Sequence, residues 1–298
     1  MSAILQINNI RKSYGAIQAL NDVTLTIPEG AVYGILGPNG SGKTTLLGIL
    51  MSVLHPHEGS FHWFDGRYGD EYRKHIGCLL ETPNFYQYLS GEENLRITMS
   101  ISGRGSEQDI ERVLKMVGLY ERKGHRFSTY SLGMKQRLAI GAALLGNPGV
   151  LVLDEPTNGL DPVGIAEIRE LIRELNKAGH TILIASHLLD EVEKVCTHMT
   201  ILKKGVVLAD GTVADVLMDE DVVEMSAADI SELQTWLHAR SIVTELDKET
   251  GRLYARFPKG AADMEQLNRG CMENGIVLTH LLLRRKKLET RFFELTHD

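Results

Sequence analysis

At 298 residues, with 43% hydrophobic and 24% charged residues, the chain can bury one large core plus an appendage, or two separate cores. Its formal net charge of −7 argues against a nucleic-acid partner. No apolar run approaches the roughly 20 residues that cross a bilayer, and Met1-Ser2-Ala3-Ile4 does not open a secretory signal, so work at a membrane would need a separate anchoring partner.

In chain order, Ile4-Leu5-Gln6-Ile7 and Val23-Thr24-Leu25-Thr26-Ile27 alternate as strands do, the second ending at Pro28-Glu29-Gly30. A buried strand then ends at Tyr33-Gly34-Ile35-Leu36. Gly37-Pro38-Asn39-Gly40-Ser41-Gly42-Lys43-Thr44 follows, a complete G-x-x-x-x-G-K-T, and Leu46-Leu47-Gly48-Ile49-Leu50 continues as a helix. Strand, glycine-rich turn and helix form the context that a phosphate-binding loop requires. The glycines allow backbone angles that bring successive N–H groups onto phosphate oxygens, and the helix adds its positive end. Lys43 can reach the β- and γ-phosphates, and the Thr44 hydroxyl can ligate Mg²⁺. The pattern implies binding of a nucleoside triphosphate.

Strand-like pieces follow at 60–64 and 75–80, and the period turns helical from about 90 to 146, most clearly at 107–117 and 134–145. Continuous apolar runs at 150–153 and 181–184 read as parallel strands buried on both faces, joined by a helix over 163–177. The first of these strands ends in Asp154-Glu155. An acidic strand end beside a phosphate loop is placed to hold Mg²⁺ with Asp154, leaving Glu155 to orient or deprotonate a water. The last eighty or so residues mix short alternating segments with two helical stretches and carry no catalytic motif. Cys78, Cys196 and Cys271 lack metal-ligand spacing, fit a reducing cytosol and are expected to be packing residues.

Tyr130-Ser131-Leu132-Gly133-Met134-Lys135-Gln136-Arg137 opens a helix with Ser131 at its cap. In the order phosphate loop, helical insert, Ser-x-Gly helix start and acidic strand end, the chain resembles the ATP-binding cassette (ABC) superfamily over roughly residues 1–215. The resemblance implies an α/β fold: a P-loop core with an antiparallel β-subdomain, a helical insert over about 88–147, and a small α/β extension at 216–298. It implies ATP and Mg²⁺ as ligands, with ATP on Gly37, Asn39, Gly40, Ser41, Gly42, Lys43, Thr44 and Thr45. Tyr14, in Lys12-Ser13-Tyr14-Gly15, resembles the aromatic residue that stacks on adenine, and His187 the switch histidine that senses the γ-phosphate.

Further roles follow from the same resemblance. Ser131 and Gly133 would contact the γ-phosphate held by a second, identical subunit, and Asp161 in Asn158-Gly159-Leu160-Asp161 would belong to the loop that crosses that dimer and couples its two sites. Leu132 and Met134 depart from the commonest signature, Leu-Ser-Gly-Gly-Gln. Glu81 stands where the family usually has a glutamine that ligates Mg²⁺, as in the branch that includes lantibiotic-immunity and bacitracin-type exporters. A transmembrane permease would then dock beside residues 81–95 and the helical insert, placing the protein on the cytoplasmic face of the cell membrane. The alternative is a single-cassette ATPase serving as an ATP-gated scaffold in cell division or iron–sulfur assembly.

Overall fold

The computed structural model describes residues 2–80, 84–217, 220–247, 250–258, 260–284, 288–289 and 292–293. The chain divides into two compact units, Met1–Val213 and Ala214–Asp298.

The first unit opens with a long hairpin, β1 (Ala3–Tyr14) and β2 (Ile17–Pro28). Sequence periodicity suggested only short strands here. Asn9 takes φ 49°, and the pairing register shifts between Ile7 and Ile10, so strict alternation is lost although the strand continues. The chain then enters β3 (Val32–Leu36), crosses the phosphate-loop segment and forms α1 (Lys43–Leu50). Next, β4 (Glu58–Trp63) returns to the hairpin as the third strand of an antiparallel sheet ordered β2-β1-β4. Trp63 donates its indole N–H to the Leu50 carbonyl (3.0 Å), fastening this sheet to the end of α1.

After β5 (Ile76–Leu79) come three helices, α2 (Gly91–Ser102), α3 (Glu107–Met116) and α4 (Leu132–Ala143). The first two start at capping boxes, Ser90 with Glu93 and Ser106 with Asp109, each worth about 1 kcal/mol. The remaining core elements are β6 (Val150–Asp154), α5 (Pro162–Lys177), β7 (Thr181–Ser186), α6 (Leu189–Val195), β8 (His198–Lys203) and β9 (Val206–Thr212). They complete a six-stranded sheet ordered β5-β6-β7-β3-β8-β9, parallel except at β9. β3, β6 and β7 are buried at every position, which is why their sequences are apolar without alternation. Gly34 is required inside β3: a Cβ there would meet Val192 at 2.6 Å and Cys196 at 3.1 Å, so its absence lets α6 lie close.

The second unit opens within helix α7 (Val213–Leu217) and continues with β10 (Glu220–Ala227), α8 (Ile230–His238), β11 (Val243–Asp247), β12 (Arg252–Pro258), α9 (Met264–Glu273) and β13 (Leu278–Arg284). These strands form an antiparallel sheet ordered β11-β12-β10-β13. Val223, Met225, Leu253 and Ala255 point to one face and bury against Leu233, Leu237 and Leu267 of the helices. On the other face Glu224 is buried among Arg252, Arg284 (2.5 Å) and His280 (3.2 Å). The sequence carries a basic run, Arg284-Arg285-Lys286-Lys287, of which only Arg284 lies within the described residues.

The cysteines correct one expectation. Cys196 and Cys271 are buried packing residues, but Cys78 is exposed, because it sits on β5, the edge strand of the large sheet. All of them carry free thiols.

Candidate nucleotide-binding site

Strand register assembles the site. In the parallel sheet Leu36 lies opposite Ser186, and Asp154 lies opposite Ala185, so β3, β6 and β7 release their C-terminal ends side by side. In open parallel sheets ligands bind at that edge. The phosphate-loop segment 37–42 leaves from Leu36, the carboxylates Asp154 and Glu155 from β6, and His187 from β7.

The loop is shaped by glycine at three points. Gly40 and Gly42 have φ of 79° and 108°, a region closed to most side chains. A Cβ on Gly37 would collide with the Leu202 carbonyl and the Ser41 hydroxyl, and one on Gly42 would meet the Ala19 carbonyl at 2.5 Å. The Ser41 hydroxyl is buried without a hydrogen-bond partner. A buried orphan hydroxyl is costly unless a ligand completes it, and it lies in a cradle that any side chain would fill. Helix α1 begins here with no acidic residue in its first turn, so its positive end is left for an anion. This segment therefore fits a polyphosphate.

Lys43 is only 6% exposed; its ammonium donates to the carbonyls of Gly37 (2.7 Å) and Pro38 (3.3 Å) and lies 3.8 Å from Glu155. Burial pushes its pKa below the ordinary lysine value, while the charges of Glu155 and Asp154 pull it back up. Thr44 donates its hydroxyl to Asp154 (3.0 Å), and these two oxygens form a donor set suited to a hard divalent cation. Glu155 adopts φ 47°, strained for a residue with a side chain, and is held there by its N–H bond to the Ala185 carbonyl (2.9 Å). Its carboxylate meets His187 Nδ1 at 2.8 Å. One chain thus gathers Lys43, Thr44, Asp154, Glu155 and His187 around a single point.

Thr45 is half-buried in the first turn of α1, and Asn39 is exposed at the tip of the loop. Tyr14 is 48% exposed at the end of the β1–β2 hairpin, with Lys12 Nζ 5.4 Å from its ring centre. Ala19 and Leu20 of the same hairpin pack on Gly42, so β2 lies against the phosphate loop. Ser131, Gly133 and Asp161 stand at helix starts. Ser131 caps α4 by accepting the Met134 N–H (3.2 Å), and Gly133 leaves open space where a Cβ would stand. Asp161 caps α5 through Gly164 (2.8 Å). Glu81 lies outside the described residues.

Sequence reasoning missed the turn that clasps the loop. Gly205, between β8 and β9, donates its N–H to the Ser41 carbonyl (2.9 Å) and accepts from Asn21 (2.8 Å). Its φ of 78° and its contact with Ala19 again demand glycine. The available signal was Lys204-Gly205 between two apolar runs, a hairpin turn pattern.

Comparison with known proteins agrees with this geometry. Residues 20–158 match the family described as ABC transporter. The chain is 34% identical over 301 residues to the bacitracin transport ATP-binding protein BcrA of Enterococcus faecalis, covering 99% of this chain and 97% of the relative. It is 40% identical over 208 residues to the lantibiotic transport ATP-binding protein SrtF of Streptococcus pyogenes, covering 70% and 90%. Among solved structures it is similar to cbiO1 from Clostridium perfringens, part of the ABC transporter complex cbiONQ, with TM-score 0.65 and 31% identity over 72% of this chain and 91% of that one. A dimeric post-hydrolysis state of the ATP-binding cassette MJ0796, bound to ADP and Pi, gives TM-score 0.63 and 28% identity over 70% and 98%.

Proposed function

The chain belongs to the ATP-binding cassette (ABC) transporter family as an ATP-binding and ATP-hydrolysing subunit, and from that premise we propose how its residues divide the work. Gly37, Asn39, Gly40, Ser41, Gly42 and Thr45 line the phosphate-binding segment, Lys43 takes the β- and γ-phosphate oxygens, and Tyr14 stacks on adenine. Thr44 and Asp154, with Glu81, hold Mg²⁺, which when bound neutralises charge on the phosphates. Glu155 accepts a proton from the attacking water while His187 fixes its carboxylate and faces the γ-phosphate. The water oxygen bonds to the γ-phosphorus, the bond to the β–γ bridging oxygen breaks, and ADP leaves.

The observation that carries this reading is the convergence of Lys43, Thr44, Asp154, Glu155 and His187 through contacts of 3.8, 3.0 and 2.8 Å at adjoining strand ends. Each ATP is enclosed by a second copy of the chain, whose Ser131 and Gly133 reach the γ-phosphate and whose Asp161 loop crosses the interface; the dimeric cassette bound to ADP and Pi supports this arrangement. Closure and release drive a transmembrane permease docked beside residues 81–95 at the cytoplasmic face. Among the described residues no helix is long and apolar enough to cross a membrane, in keeping with a separate permease. The names of the bacitracin and lantibiotic relatives favour export of a peptide antibiotic and give the scaffold alternative no support.

Light scattering on size-exclusion fractions tests the enclosed-ATP dimer. Glu155→Gln protein is expected to elute as a dimer with ATP and as a monomer without it. Adding Ser131→Ala, which costs α4 about 1 kcal/mol of capping but leaves the core intact, is expected to return it to monomer. A monomer at saturating ATP in the parent variant would contradict the arrangement.

A further inference from the structure

The turn at 122–126 carries a patch of positive charge that the hydrolysis described above does not use. Arg122, His125 and Arg126 are exposed and Lys123 is half-buried. Lys135, in the first turn of α4, joins them by lying over the ring of Phe127, 5.3 Å from its centre. Among the described residues none of Arg122, Lys123, Arg126 and Lys135 forms an ion pair. The neighbouring acids are engaged elsewhere: Glu111 with Lys115 (2.6 Å), Glu92 with Arg96 (3.0 Å) and Glu93 with the Ser90 N–H (2.7 Å). Glu111 therefore acts on Lys123 only at longer range. Within the turn the one acid is Glu121, so the set stays positive on a chain whose formal net charge is −7.

Backbone hydrogen bonds fix this patch to the segment where the permease is placed above. The Glu92 N–H donates to the Lys123 carbonyl (3.0 Å), Gly91 to His125 (3.3 Å), Phe127 to Leu89 (2.8 Å) and Ser128 to Gln87 (3.0 Å). Ser90 and Arg126 pair antiparallel between them. Beside this strip lies a groove of about 290 Å³, walled by Phe85, Tyr86 and, from α2, Ile97 and Ile101. Buried Asn94 braces one wall: it accepts the Tyr86 N–H (2.8 Å) and donates to the Tyr86 and Ser90 carbonyls (3.1 and 2.9 Å). Tyr86, Tyr88 and Ile101 are 50, 69 and 80% exposed, more apolar surface than isolated side chains leave in water. A preformed groove of this kind takes the apolar face of a helix, and charges at its rim select which helix and speed its arrival.

We propose that this surface receives a cytoplasmic helix of the permease that carries acidic side chains next to an apolar anchor. The anchor enters the groove beside Ile97 and Ile101, and the carboxylates meet Arg122, Lys123, Arg126 and Lys135. The concave apolar wall fits one projecting side chain of a protein, whereas a membrane surface offers nothing that projects. Single exposed ion pairs contribute little, so the effect belongs to the set and shows in salt dependence. The inference rests on the permease docking proposed above and adds the chemistry of the partner.

The test starts from the complex that tagged, full-length Glu155→Gln protein captures from detergent-solubilised native membranes. A carbodiimide, which joins an amine to a carboxylate without a spacer, is expected to link Lys123 or Lys135 to an Asp or Glu in a cytoplasmic loop of the captured polytopic protein. Peptide mass spectrometry reads the link. Combining Arg122→Glu, Lys123→Glu and Arg126→Glu is expected to lower recovery of that protein about tenfold, as is raising NaCl from about 50 to about 500 mM with the parent. Affinity for fluorescent ATP is expected to stay unchanged, which shows that the fold and the nucleotide site are intact. Changing the linked permease acid to Lys is expected to restore recovery by the charge-reversed variant. Recovery that ignores both charge reversal and salt, or links formed only elsewhere, overturns the proposal and leaves the docking reading standing. Binding of the parent to phosphatidylserine-containing vesicles that the charge-reversed variant loses overturns it in favour of a lipid surface. If the parent captures no polytopic protein, the docking reading fails and takes this inference with it.

Discussion

Glu155→Gln protein is expected to bind ATP with affinity close to that of the parent chain and to hydrolyse it about 10²–10⁴ times more slowly, the range associated with losing a general base. The amide keeps the shape of the carboxylate and its hydrogen bond to His187 but cannot accept the proton that the attacking water releases. The carboxylate is well placed to accept it, since its backbone is fixed at φ 47° by the Ala185 carbonyl and His187 holds one oxygen at 2.8 Å. Lys43 stands 3.8 Å from the other oxygen. Steady-state phosphate release measures the effect. Turnover within about threefold of the parent would remove Glu155 from the base role.

Lys43→Ala acts earlier, on binding. The ammonium lies under the phosphate-loop segment, bonded to the Gly37 and Pro38 carbonyls, and Asp154 and Glu155 are the nearby negative charges. Without it, the phosphates of ATP would approach Asp154 and Glu155 with one positive charge fewer to offset them. Charge-assisted hydrogen bonds of this kind are worth about 1.5–3 kcal/mol, so affinity for a fluorescent ATP analogue is expected to fall roughly 10- to 100-fold. An unchanged dissociation constant would mean that the segment does not bind phosphate through this lysine.

How much of this was legible in the sequence depends on how far each contact reaches along the chain. The segment 37–44 is local: its glycines, lysine and threonine shape the loop largely through their own backbone angles, so spacing alone announces it. The buried strands were equally plain, because Val150-Leu151-Val152-Leu153 has no polar face to offer water. The limits of the β1–β2 hairpin were not, since Asn9 and its register shift break the alternation on which strand reading depends. Gly205 clasping Ser41 and Leu132 resting on Gly159 join distant parts of the chain, and packing of that kind leaves no local pattern. Cys78 resembled its two buried counterparts because nothing nearby in sequence says that β5 is an edge strand. The helices and strands of the second unit were visible, but the burial of Glu224 among Arg252, Arg284 and His280 comes from pairing across β10, β12 and β13.

The most direct measurement is capture of tagged Glu155→Gln protein from detergent-solubilised membranes of its native host, with and without ATP, followed by mass spectrometry of the partners. Recovery of a polytopic membrane protein is expected, in an amount that changes with ATP, and its identity would name the subunit that selects the cargo. Recovery of soluble partners alone, with the tagged protein absent from the membrane fraction, would contradict the transporter reading and return the chain to the class of ATP-gated scaffolds.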